Sequence, residues 1–124
     1  MNQTESKPKN QIVKLPAIFR VDLDGEDDAY SDGFIMFPTV PQDVGGRYVQ
    51  CWQRVGQHSG ADYVGCIQRS RPATLQEVGT LKALYEWTYN GIAGNDDVEL
   101  VPYKRRTPQH RAEFEADIER TRKI

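Results

Sequence analysis

Apolar and polar positions alternate in three stretches of the first half of the chain, and each stretch predicts a strand. Ile18 to Leu23 sets Phe19, Val21 and Leu23 on one parity against Ile18, Arg20 and Asp22 on the other, so the first set predicts a buried face. Gly33 to Val40 resumes the strand pattern, punctuated by Pro38 and Pro41. It should pair with the first strand as an antiparallel hairpin across the acidic loop Gly25 to Gly33. Proline has no donor for a ladder, which puts Pro38 on an edge strand. In Arg47 to Val55, the residues Val49, Cys51 and Val55 form the expected core face, and Tyr48, Trp52 and Arg54 the outer one. Gly56 to Gly60 should stop that strand.

The segment Ala61 to Arg71 suits two structures. As a strand after a two-residue turn at His58 and Ser59, it would set Cys51 opposite Cys66 and Trp52 over Gly65. As a helix it would take Ser59 as N-cap and Asp62 in its first turn, with Tyr63 and Ile67 one turn apart; the helix is preferred. A T-x-x-E capping box at Thr74 and Glu77 then predicts a helix start. Val78, Leu81, Leu84, Tyr85 and Thr88 form its packing face, and Asn90 and Gly91 end it. Val98 to Lys104 predicts a last strand, with Pro102 again an edge signal. Thr107 and Pro108 read as N-cap and N1 of a C-terminal helix to about Lys123. That helix has only Ala112, Phe114, Ala116 and Ile118 to bury, so its end should fray. The order predicts an α+β fold in a single two-layer domain: an antiparallel sheet of about four strands, a long helix on one face, and the C-terminal helix.

A chain of 124 residues fits one domain. With 38% hydrophobic residues, 27% charged residues and a mean hydropathy of −0.69, it can build a core but is too polar for a membrane protein. Residues 1 to 10 have only Met1 as an apolar residue and predict a disordered leader, leaving 11 to 124 as the α+β domain. There is no N-terminal apolar run of the roughly 7 to 15 residues that a secretory signal needs, and the longest apolar stretch is Phe34 to Phe37. A cytoplasmic location is therefore expected, with Cys51 and Cys66 kept as thiols.

Candidate chemistry is sparse. The acids Asp22, Asp24, Glu26, Asp27, Asp28 and Asp32 do not match a calcium-loop spacing, because glycine and the bidentate glutamate never fall at the required places together. Cys51, His58, Cys66 and His110 lack the close pairing of a metal site, so no metal or other cofactor is expected. No nucleophile elbow, phosphate loop or dinucleotide glycine pattern is present, so neither a catalytic residue nor an enzymatic activity is expected. The string Gly56 to Gly60 and the neighbouring aromatics suggest a recognition surface made by Tyr48, Trp52, Gln57 and His58. Charge adds a second candidate. The net −2 conceals −4 over residues 1 to 46, −1 over 47 to 103 and +3 over 104 to 124. Lys104, Arg105, Arg106 and Arg111 form a candidate phosphate or anion patch at the entry to the last helix, and Arg120, Arg122 and Lys123 cluster at its exit.

The stretch GQHSGADYVGCIQRSRPATLQEVGTL, from Gly56 to Leu81, followed by a helix and then ELVPYKR, resembles a loose group of small bacterial and mobile-element proteins. The resemblance covers about half the chain and implies a small intracellular bacterial or phage accessory protein, helical after the GQHS string. It transfers no catalytic residue. The expected function is a non-enzymatic protein-interaction module that binds a host or phage protein. The alternative is a nucleic-acid accessory protein using the basic patch from 104 to 111, with salt-sensitive binding.

Overall fold

The structure, a computed structural model, describes residues 11–23, 33–53 and 57–123. The expected leader, most of the acidic loop, and Arg54, Val55 and Gly56 lie outside the described residues. The elements in chain order are β1 (Ile12–Asp22), β2 (Phe34–Pro41), β3 (Val49–Gln53), β4 (Gln57–Ala61), α1 (Tyr63–Gln68), β5 (Ser70–Pro72), α2 (Leu75–Tyr89), β6 (Asp97–Tyr103) and α3 (Pro108–Arg122). The fold is α+β. Its sheet runs β4-β3-β2-β1-β5, with β6 also on β1. Ile18 pairs with both Met36 of β2 and Tyr103 of β6, and Arg20 with both Phe34 of β2 and Pro72 of β5. Hence β5 and β6 lie end to end along the one edge of β1 that β2 leaves open. The β1/β6 pairing is parallel, and the other four are antiparallel. The sheet is thus mixed and has six strands among the described residues, where an antiparallel sheet of about four was expected. The two extra strands are the short β4 and β5, which flank α1 and show little apolar alternation of their own.

A second correction concerns the layers. Ala17, Phe19, Ile35, Phe37 and Trp52 pack with Leu81 and Tyr85 of α2 and Leu100 of β6. Residues of the opposite parity, Ile18, Phe34, Met36, Val49 and Cys51, pack with Phe114 and Ile118 of α3, and Tyr63, Cys66 and Ile67 of α1 join them. The sheet is therefore covered on both faces, giving three layers. The contiguous runs Ala17 to Phe19 and Phe34 to Phe37 are the signature of such double burial, which replaces simple alternation in a strand. It also explains why Trp52, expected on an outer face, is 1% exposed. Leu23, expected inside, lies past the end of β1 and is 48% exposed.

Pro38 is not on an edge strand. It is buried in β2, between β1 and β3, where the ladder to β3 changes register between Phe37 and Pro41. The bulge spares the proline a ladder donor. Pro102 does lie on an edge strand, β6. The helical choice for the segment after Ala61 holds for Tyr63–Gln68, but its start differs. Ser59 lies in β4 opposite Cys51 and His58 lies opposite Trp52, so the turn expected at 58 and 59 is a strand, and Asp62 occupies the N-cap. The facing of Cys51 with Cys66 and of Trp52 with Gly65 does not occur in the sheet.

Both long helices start at the expected caps. In α2, the Glu77 amide donates to Thr74 Oγ1 (3.2 Å) and the Thr74 amide to Glu77 Oε1 (2.8 Å). Leu81 and Tyr85 are buried and Val78 and Leu84 pack partly against the core, whereas Thr88, expected on this face, is exposed. Asn90 receives the Val98 amide (2.8 Å) and donates to its carbonyl (2.9 Å), tying the end of α2 to β6. In α3, Phe114 and Ile118 are buried with His110, while Ala112 and Ala116 are exposed. The buried stripe therefore follows spacings of four residues. No helix among the described residues is long and apolar enough to cross a membrane.

Arg71 adds two hydrogen bonds to Glu77 (2.8 and 2.9 Å), and these, with the Thr74 amide, hold the Glu77 carboxyl down at about 2. Its folded value lies below its ordinary 4.5, so the stability it contributes is complete above pH 4.5 and is lost as the pH falls toward about 2. Urea unfolding across this range should show that slope. Glu77→Gln should flatten it and lower stability at neutral pH by about 1 kcal/mol. An unchanged slope in the variant would contradict the capping assignment.

Candidate anion-binding cleft

Of the four residues expected to form one recognition surface, the fold makes Trp52 and His58 cross-strand partners in β3 and β4. Trp52 points into the α2 side of the core. Its ring stands edge-on to Tyr85 at 5.3 Å, and its indole N–H donates to Tyr89 Oη (3.2 Å). His58 is exposed on β4, with its ring near-parallel to Tyr85 at 6.1 Å and tilted against Tyr89 at 5.3 Å. These rings and Phe37 make a packed aromatic cluster, in which burial and the neighbouring Tyr89 push the Tyr85 phenol up to about 12. Tyr48 lies before β3, partly exposed, with its amide held by Asp43 Oδ1 (3.2 Å). The Gln57 backbone pairs with Gln53 in β4. Its side chain lies outside the described residues. Burial pushes the Cys51 thiol up to about 12 and also raises Cys66, so both stay protonated at neutral pH.

The basic patch divides more usefully. Lys104 and Arg105 follow β6 as exposed side chains, whereas Arg106 turns inward. Its amide donates to Tyr63 Oη (2.8 Å), and its guanidinium carbon lies 4.5 Å from the centre of the Phe114 ring and 5.8 Å from that of Tyr63. Cation–π contacts of this kind orient a guanidinium without consuming its donors. Arg106 Nε and Nη2 are shut from solvent and have no hydrogen-bond acceptor among the described residues. Burial and the nearby Arg111 both push the Arg106 pKa down.

Arg106, Arg111 and Arg122 line one cleft of about 280 Å³ between α3 and the β2–β3 loop, together with Glu115, Glu119 and Gly46. Lys104 and Arg105 are not part of its wall. Gly46 has φ +73°, and a Cβ there would stand 2.8 Å from Ile118 Cδ1, so glycine is what lets the loop reach α3. Arg122 closes the same approach by donating Nε (3.3 Å) and Nη2 (3.0 Å) to the Val44 carbonyl. Arg111 Nε lies 3.5 Å from Glu115 Oε1, one helical turn on. By its place in the sequence Arg122 belongs only to the basic cluster at the helix exit. The signal that could unite it with Arg111 is their separation of three helical turns, which puts both on one stripe with Glu115 and Ile118. Nothing in the sequence reports the loop that closes the cleft.

His110 anchors the entry to α3. Its Nδ1 accepts the Thr107 amide (3.1 Å) while its own amide donates to Thr107 Oγ1 (3.1 Å), and Tyr103 stands edge-on to its ring at 4.3 Å. The expected N-cap is therefore completed by histidine rather than glutamate. Among the described residues, no group of three or more His, Cys, Asp or Glu side chains could hold a metal ion. The chain matches no protein-family model, no curated protein and no solved structure.

Burial, and secondarily Arg106, lowers the His110 pKa below its ordinary 6.5, while Glu113 opposes this. The folded state therefore resists protonation. Stability from His110 is complete above pH 6.5 and falls as the pH drops from 6.5 toward the folded value. His110→Gln retains a cap acceptor and should flatten this part of the unfolding profile. An unchanged slope would show that His110 is free to protonate in the fold.

Proposed function

We propose that this protein is a non-enzymatic interaction module whose working surface is the cleft between α3 and the β2–β3 loop, and that it docks an acidic segment of a partner protein there. The observation that carries this reading is Arg106, a guanidinium packed against two aromatic rings on the wall of an open cleft, with two N–H-bearing nitrogens lacking acceptors among the described residues. A buried cationic donor without an acceptor is costly, so an arriving anion gains more there than at a solvated lysine. Arg111 and Arg122 add positive charge to the same wall, favouring the encounter with an acidic partner.

A nucleic-acid reading draws on the exposed Lys104 and Arg105. It is weakened by the carboxylates that interrupt the basic surface. Glu113, Glu115, Asp117 and Glu119 all lie between Arg111 and Arg120 along α3, and the whole chain is net −2. A phosphodiester backbone is a continuous line of charge and is best met by a continuous basic track. A cleft holding three arginines and two glutamates suits a local acidic group better.

Fluorescence anisotropy with a labelled oligoglutamate peptide and a labelled single-stranded oligonucleotide separates the two. The peptide should bind in a salt-sensitive manner, and Arg106→Met combined with Arg111→Met should weaken it about tenfold, or about 1.4 kcal/mol. Neutralising Lys104 and Arg105 should change peptide affinity little. Tighter binding of the oligonucleotide, abolished by neutralising Lys104 and Arg105, would overturn the proposal in favour of nucleic acid.

A further inference from the structure

The edge of a guanidinium formed by Nε–H and one N–H of Nη2 presents two parallel donors, and their spacing matches the two oxygens of a carboxylate. In Arg106 these are the two nitrogens left without an acceptor. In the other two arginines of the cleft the same edge has a partner. Arg111 Nε faces Glu115, and Arg122 gives Nε and Nη2 to the Val44 carbonyl. Of the three arginines lining the cleft, Arg106 is thus the one whose Nε/Nη2 edge has no partner among the described residues, and it lies beside the carboxylates of Glu115 and Glu119.

That count selects among anions. A phosphate dianion carries a second charge past two glutamates and brings more oxygens than one fork can satisfy. A carboxylate brings one charge and two oxygens. We infer that the cleft is a receptor for a single carboxylate, an Asp or Glu side chain of the partner, held at two points by Arg106 Nε and Nη2. This rests on the cleft being the working surface, and it names the chemical group that surface takes. Because both nitrogens are shielded, the carboxylate reaches them as the Arg106 side chain swings toward the cleft it lines, keeping its face against Phe114. Arg106 is then the specificity-determining residue, and Arg111 supplies long-range attraction.

The test follows the arginine Nε–H signals by nuclear magnetic resonance while sodium acetate is titrated into the full chain at constant ionic strength, with inorganic phosphate in a parallel series. The Arg106 signal is identified by its loss in Arg106→Lys. Acetate should shift that signal saturably, and phosphate should do so more weakly. In the anisotropy assay, Arg106→Lys keeps the charge but loses the fork, and should bind oligoglutamate about tenfold more weakly than the parent chain. An Arg106 signal indifferent to acetate, or one more sensitive to phosphate, overturns the carboxylate receptor. Oligoglutamate binding that Arg106→Lys leaves unchanged overturns the two-point contact while leaving the interaction module standing. Acetate shifting Arg106 in a chain that binds no oligoglutamate would support the receptor and overturn the docking of acidic segments.

Discussion

The central constraint is the position of β1, which is hydrogen-bonded along both edges and buried on both faces over its central residues. One edge carries β2 and the other carries β6 and then β5, so a single strand fixes the register of three others. Its alternate residues feed two cores, Ala17 and Phe19 toward α2, Ile18 toward α3. On the parity of Ile18 sits Arg20, 6% exposed, an expensive residue to bury unless its donors are satisfied. It donates Nε to Ser70 Oγ (2.9 Å) and Nη2 to the carbonyls of Ser70 (2.7 Å) and Ile67 (3.1 Å). A cation at the last turn of α1 also opposes the negative end of the helix dipole, though in so short a helix that effect is small. Arg20 thereby fastens α1 and β5 to the central strand.

The cleft is a consequence of this arrangement. Since α2 covers one face, α3 must cover the other, and its apolar stripe of Phe114 and Ile118 sets its rotation on the sheet. That rotation leaves Arg111, Glu115 and Arg122 along its rim, facing the β2–β3 loop. Tyr63 of α1 and Phe114 of α3 both meet Arg106, so α1 and α3 converge on the arginine that follows β6. Gly46 and Arg122 hold the loop in place across the gap. The aromatic cluster around Trp52 and Tyr85 serves the opposite face as packing, where its hydrogen bond and ring contacts are made within the chain.

Local signals in the sequence proved reliable where the physics is local. Thr74 with Glu77, and Thr107 with Pro108, mark helix starts because a capping side chain and its amide are three residues apart. Hairpin pairing of β1 with β2 was legible for the same reason. The second helical layer was not, because α3 has few apolar residues and its burial depends on a sheet face that only the assembled strands create. Trp52 illustrates the ambiguity directly, since polar neighbours on its parity suggest solvent while the fold supplies Tyr85 and Tyr89. Arg106 sits in a run of three basic residues that looks uniform. Only packing against Phe114 and Tyr63 distinguishes it from Lys104 and Arg105.

The central claim is that recognition takes place on the α3 side of the sheet and not on the α2 side, where Trp87 is 81% exposed and His58 lies on the edge strand. Mapping backbone amide shifts across the whole chain during addition of oligoglutamate tests it most directly. Shifts should concentrate at Gly45, Gly46, Arg106, Arg111 and Arg122. Shifts concentrated at His58, Trp87 and Tyr89, with the α3 cleft silent, would contradict it.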